Sequence, residues 1–189
     1  MTLDYNRDGR TDLLACRLRT NTPRLYRNNS GTTFTEVGAA ARLTSNVVDA
    51  VAGDLNKDGW TDLFFASGNG CSYRLNNNGV FGNAVTVKVL PSGQARSVAA
   101  ADADGDGDLD VYCMARADGS NPNDFVMLNN GTSWTSMTVP PAGGDGDEVT
   151  ALHPSGVTGP AEFLVLNGGN ASEAGGSGGG PVQLIQTLP

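Results

Sequence analysis

A chain of 189 residues and 19.5 kDa can bury one sizeable core or two small ones, and its 26 glycines and nine prolines make it turn often. Twenty acidic residues against twelve basic ones give a net charge of -8, the opposite of the basic patch that a phosphate backbone requires. No apolar run reaches the roughly 18 residues of a membrane span, and one histidine with three scattered cysteines leaves little for a zinc site.

In chain order, the N-terminus MTLDYNRDGRTD has no apolar h-region, so no signal peptide is expected. After Met1–Leu3 comes an acidic stretch, DYNRDGRTD at 4–12, which runs into LLAC at 13–16 and then LYRNNSGTTF at 25–34. The next stretch, TFTEVGAAA at 33–41, reads as a strand followed by a single helical turn. A second unit then shows four apolar runs bounded by turn residues: VVDAVAG, TDLFFAS, CSYRLN and AVTVKVLP. It carries DLNKDGWTD at 54–62 and YRLNNNGVF at 73–81. The third repeats the plan with SVAAAD, LDVYCMA, DFVMLNN and WTSMTVP, and carries DADGDGDLD at 102–110 and VMLNNGTSW at 126–134. A fourth, worn unit begins near Glu148, where His153 and Ser155 replace the first two acidic positions. It ends in PVQLIQTL, a third strand with nothing left for a fourth. The Gly/Ser run at 175–180 reads as a flexible loop or worn linker.

The three acidic stretches begin 50 and 48 residues apart, so the unit is about 49 residues long. Four short strands per unit at that period, with no convincing 3.6-residue periodicity, predict an all-β β-propeller of four-stranded antiparallel blades. The chain holds about three and a half to four blades: one repeat domain over 1–189, with units at 1–44, 45–92, 93–145 and 146–189, the last degenerate. An arc or truncated part of a larger ring is the expected architecture. Four-bladed closure and a solenoid of two-stranded units are the alternatives.

The acidic stretches have the chemistry of a hard-cation loop. Calcium takes six to eight oxygens. Positions 1, 3 and 5 of each loop offer side-chain oxygens: Asp4, Asn6 and Asp8; Asp54, Asn56 and Asp58; Asp102, Asp104 and Asp106. Glycine at position 6 permits the turn, and the position 7 carbonyl of Arg10, Trp60 or Asp108 can add an oxygen. Asp12, Asp62 or Asp110 closes the loop at position 9. An EF-hand would close with Glu at position 12, where this chain has Ala15, Phe65 or Cys113 inside an apolar strand. Ten of the 20 acidic residues are these aspartates, and carboxylates so crowded repel unless a cation is present. About three calcium ions would bring the net charge of -8 to about -2. The third loop, with four carboxylates, is expected to bind most tightly. Their expected role is structural, to staple the inner strands where Ala and Gly leave the core thin.

The loops together with the Asn-Asn-Gly element resemble the FG-GAP/VCBS repeat family, whose calcium motif is D-x-[DN]-x-D-G-x-x-D. The likeness is strong over 1–140 and weak over 141–189, and close relatives of the repeat are the blades of integrin alpha-subunit and cartilage-acidic-protein-like propellers. It implies a propeller used outside the cell or at its surface, for adhesion and for binding a protein or glycan ligand. It implies no catalysis and names no ligand.

Other signals are weaker. Sequons at Asn28, Asn130 and Asn170 would matter in a glycosylated secreted protein. Cys16 and Cys113 fall in equivalent strands of units one and three and Cys71 in a turn, so free, partly buried thiols are expected. Trp60 should point away from its loop, packing on a neighbouring blade or contacting a partner. Arg7 and Arg10 read as solvated countercharges. Competing readings of function are a non-catalytic fragment of a larger protein, whose remaining blades come from a longer chain or a second copy, and a propeller lyase or hydrolase. The latter would draw on Glu36, Asp49, Asp118, Asp124, Asp145, Asp147, Glu148, Glu162 and Glu173, and would need Asp145, Asp147 and His153 in one cleft.

Overall fold

The computed structural model describes residues 1–16, 22–43, 47–67, 70–90, 94–116, 123–139, 145–152, 161–168 and 183–185. His153, Ser155, Asp118, Glu173, the sequon at Asn170 and the run at 175–180 lie outside them. Seventeen strands are formed among the described residues, and no described helix is long and apolar enough to cross a membrane.

The first sheet pairs β1 (Thr2–Leu3), β2 (Asp12–Ala15), β3 (Arg24–Asn28) and β4 (Phe34–Glu36) in sequence order. The second is β5 (Asp49–Gly53), β6 (Asp62–Ser67), β7 (Gly70–Arg74) and β10 (Val85–Val89). Between its last two strands stands a small hairpin of β8 (Asn76–Asn77) and β9 (Val80–Phe81). Asn78 and Gly79 turn that hairpin at φ 57° and 80°, the pair of positive angles that a two-residue turn matched to strand twist requires. The third sheet is β11 (Gln94–Ala101), β12 (Asp110–Arg116), β13 (Asp124–Asn129) and β14 (Trp134–Val139). The fourth has three strands, β15 (Asp145–Leu152), β16 (Glu162–Gly168) and β17 (Gln183–Ile185). All pairings are antiparallel and follow sequence order, β7 and β10 flanking the small hairpin, so each sheet is a blade and the four form an arc of a propeller, with no closed barrel.

The stretch at 33–41 is the strand β4 followed by a single turn, as its composition predicts. Ala41 N–H donates to the Val37 carbonyl, and Arg42 and Leu43 donate back to Ala39 and Gly38, with Arg42 at φ 63°. That is the 6→1, 5→2 pattern of a helix end with a left-handed residue.

Three apolar clusters fill the spaces between successive blades. Alternation along a strand decides which neighbour each side chain meets. In β6, Leu63 and Phe65 pack with Leu3, Tyr5, Leu14 and Leu25 of the first blade. Phe64 and Ala66, on the other face, pack with Val98, Val111 and Cys113 of the third. In β12, Tyr112 and Met114 face Phe163 and Val165 of the fourth. A middle strand apolar on both faces therefore reads as the continuous run LFFA or VYCM. Among the described residues the first blade has a neighbour on one side only, so Leu13 is 39% exposed where its equivalent Leu63 is fully buried. Phe34 is 44% exposed, whereas its counterpart Trp134 lies against Phe64 and Tyr73 of the preceding blade, ring centroids 5.5 and 5.7 Å away.

The cysteines depart from expectation. Cys71 and Cys113 form a disulfide between the second and third blades, with Cα atoms 6.8 Å apart, and Cys16 alone is free. Cys71 lies not in a turn but in β7, which begins at Gly70. Its side chain faces the third blade, as Cys113 faces the second. Burial pushes the Cys16 thiol up to about 11, assisted by Asp49.

Candidate metal centre

Each acidic loop joins the first strand of its blade to the second, and the three share closely similar hydrogen bonds, the third taking one N–H from position 4 where the others use position 5. The position 1 carboxylate accepts two main-chain N–H groups from within the loop. They come from Asp8 and Gly9 to Asp4, from Asp58 and Gly59 to Asp54, and from Gly105 and Gly107 to Asp102, at 2.7–3.2 Å. The position 5 carboxylate accepts the N–H of position 7, Arg10, Trp60 or Asp108, at 2.8–2.9 Å. Gly9, Gly59 and Gly107 sit at φ 80–84°, which a side chain would resist. Position 4 is also left-handed: Arg7 at 55°, Lys57 at 59° and Gly105 at 81°.

The closing aspartate sits deeper. Asp12, Asp62 and Asp110 are fully buried. One oxygen of each accepts the N–H of loop position 2, from Tyr5, Leu55 or Ala103, at 2.7–3.2 Å. The other accepts the N–H of the first asparagine of the Asn-Asn element, Asn28, Asn76 or Asn129, at 2.7–2.8 Å. That is why the two sequence markers travel together: the second caps the first. Burial, the largest cause, pushes Asp62 and Asp110 each up to about 6 and raises Asp12 less. Asp8 moves down, chiefly through the hydrogen bond from Asn6.

The asparagine side chains then cross to the preceding blade. Asn76 Nδ2 donates to the Tyr5 carbonyl at 2.7 Å, and Asn129 Nδ2 to the Leu55 carbonyl at 2.8 Å. Asn28 Nδ2 donates to Thr11 of its own blade at 3.0 Å.

Two observations bear on whether these loops fit a cation. Ligand oxygens of Asp102, Asp104 and Asp106 lie within 4.8 Å of one another, with Asp110 outside that triad. In the first loop Asn6 Oδ1 is buried without a hydrogen-bond partner, an oxygen left available for an ion. An all-oxygen set of Asp and Asn side chains suits a hard cation.

Position 7 does more than offer a carbonyl. The Arg7 guanidinium lies 5.0 Å from the Trp60 ring centroid, so this exposed side chain also makes a contact between blades; Arg10 pairs with Asp8 at 3.1 Å on the surface. Lys57 Nζ reaches Asp108 Oδ1 at 2.6 Å. Beside the second loop is a groove of about 630 Å³ lined by Arg42, Asp58, Trp60, Leu75 and Val80 among others. A cleft of about 550 Å³ at the start of the inner strands is lined by Cys16, Asp49, Arg96, Ser97 and Glu148. There both Asp49 oxygens are occupied structurally, by Ala50 N–H on one and by Ser97 Oγ and Val98 N–H on the other.

Sheets in ring order, with an acidic loop at the same corner of three blades, define an all-β repeat scaffold of propeller type. Residues 4–65 and 54–113 match the FG-GAP-like repeat, more than half of the chain, and the chain belongs to that family. No curated protein matches it. Among solved structures it is similar to the crystal structure of BBS1N in complex with ARL6DN, soaked with lead, at 10% identity and a TM-score of 0.56. The match covers 99% of this chain and 55% of that one, so the chain spans about half its length.

Proposed function

We propose that the chain is a calcium-stabilised extracellular propeller scaffold that presents a surface to a protein or glycan ligand. The observation that carries this reading is the threefold loop with one hydrogen-bond plan, in which Asn6 Oδ1 is left unpartnered and three carboxylates converge at Asp102, Asp104 and Asp106. Asp4, Asn6, Asp8 and Asp12, Asp54, Asn56, Asp58 and Asp62, and Asp102, Asp104, Asp106 and Asp110 would hold three ions, with the main-chain carbonyls of Arg10, Trp60 and Asp108. The ion supplies positive charge that lets the carboxylates stay ionised side by side.

The Cys71–Cys113 bridge supports an oxidising compartment. The groove of Trp60, Leu75, Val80 and Arg42 supports a partner surface on the loop side, as does the similarity to a chain solved in complex with another protein. Of the sequons, exposed Asn130 is the favoured glycan acceptor, since Asn28 is half-buried and hydrogen-bonded through both side-chain ends.

Calcium titration of chelator-treated protein tests the reading. Three bound ions and a raised melting temperature are expected, with Asp104→Asn weakening the third site most. A fold equally stable without any binding would reduce the loops to turns. A second reading, one part of a longer propeller, is supported by exposed Leu13 and Phe34. In a longer polypeptide it predicts slowed amide exchange across β2.

A further inference from the structure

The two interblade contacts at the loop rim follow one rule. Arg7 is position 4 of loop one and lies on Trp60, position 7 of loop two. Lys57 is position 4 of loop two and pairs with Asp108, position 7 of loop three. In both cases the cation also covers the position 6 glycine of the next loop. A Cβ at Gly59 would stand 3.3 Å from Arg7 Nη1, and one at Gly107 would stand 3.9 Å from Lys57 Nζ. Position 2 makes a second link in the same direction, because its carbonyl accepts the asparagine of the next blade.

We propose that the three loops load with cations in a coupled manner, each loop ordering the next through the basic side chain at its fourth position, Arg7 onto loop two and Lys57 onto loop three. This rests on the reading of the loops as calcium sites. An ion held by Asn6 and Asp8 fixes the backbone on both sides of Arg7, so the guanidinium no longer samples other positions. It then holds Gly59 and Trp60, whose carbonyl is the main-chain ligand expected at the second site. The second ion therefore meets a loop already ordered, and linkage makes the effect reciprocal. Contacts this exposed couple modestly, by about two- to fivefold in affinity.

Trp60 is one of two tryptophans, so Trp134→Phe leaves it as the sole indole, sitting on the loop one–loop two junction. Calcium titration followed by its fluorescence reads the second site. Disabling the first site with Asp4→Asn plus Asp8→Asn, which leaves one acceptor oxygen at each position for the main-chain N–H groups of the loop, is expected to weaken the second about two- to fivefold. Adding Arg7→Asn, a residue that tolerates the left-handed angle, should abolish that dependence. Loss of distant negative charge would persist in the Arg7→Asn background, so the cycle separates contact from field. Calorimetry on protein retaining Trp134 checks the same cycle independently, and Lys57→Asn should unlink loop three alone. Three ions bound with unchanged second-site affinity, or equal weakening with and without Arg7, overturns the coupling and leaves the calcium reading intact. No ion bound overturns both.

Discussion

Asn129→Ala removes one buried side chain and three directional contacts at once. Nδ2 donates to Leu55 of the preceding blade at 2.8 Å and to Leu109 at 3.3 Å, and Oδ1 accepts the Gly131 N–H at 3.1 Å. The Asn129 N–H to Asp110 is main chain and survives. Two carbonyls and one N–H lose partners, and a buried group so stranded costs roughly 1–3 kcal/mol, less where water can enter. The Gly131 end is nearer solvent, so the expected loss is about 2–4 kcal/mol. For a chain of this size that is a fall in melting temperature of about 5–15 °C.

The three equivalent asparagines separate the interblade bond from the rest. Asn28→Ala deletes the same contacts within its own blade but no bond to a neighbour, and is expected to cost about 1 kcal/mol. Asn76→Ala should resemble Asn129→Ala, because Asn76 reaches Tyr5 at 2.7 Å and Thr61 at 2.9 Å. Urea denaturation of the three variants at fixed calcium gives the comparison. Equal losses at all three would refute the assignment of the difference to the bond between blades, and no loss at Asn129 would refute the whole account.

The pH dependence should change sign with calcium. In chelator, Asp62 and Asp110, raised to about 6 by burial, penalise the folded state above that pH, so stability should increase as pH falls from about 6 toward the ordinary carboxylate value of about 4. Asp124, also raised by burial, adds to this, while exposed Asp8 acts the other way. With calcium bound, protons compete with the ion and stability should fall over the same window; urea midpoints that fall in both conditions would contradict the burial argument. Thiol titration of the denatured, unreduced protein should find one reactive cysteine, Cys16, rather than three. Reduction should cost up to about 4 kcal/mol by loop-closure entropy for bridged residues 42 apart.

The blades and loops were legible because local geometry dictates them. Loop glycines at φ 80–84°, carboxylates that cap nearby N–H groups and strands apolar on both faces all leave a mark within a dozen residues. What lay between blades left less. The Asn-Asn-Gly element stood out as a marker, yet its acceptors are 71 and 74 residues away, so its purpose was hidden. Cys71 was misplaced because a strand boundary shifted by one residue decides both its element and the face it uses. Arg7 read as a solvated countercharge, and nothing singled out Lys57. The available signal was the complementarity of position 4 in one unit with position 7 in the next, arginine with tryptophan and lysine with aspartate, which a comparison of equivalent positions does not reveal.

Apolar faces hold the blades together without fixing how they slide. Burial of Leu63, Phe65 or Val111 gives a non-directional attraction, and inner strands as small as β11, with Ala99 and Ala101 in the core, interlock weakly. Directional bonds at the rim supply the missing register. The closing aspartate binds position 2 of its loop and the first asparagine of the Asn-Asn element in its own blade. That asparagine in turn binds position 2 of the loop before it. Loop, strand and neighbouring blade thus share one hydrogen-bond chain, and whatever orders a loop also tightens the interface beside it. A cation bound in such a loop acts on the packing of blades as well as on the loop's own crowded charges, which is how a metal can support a scaffold whose inner strands bury little.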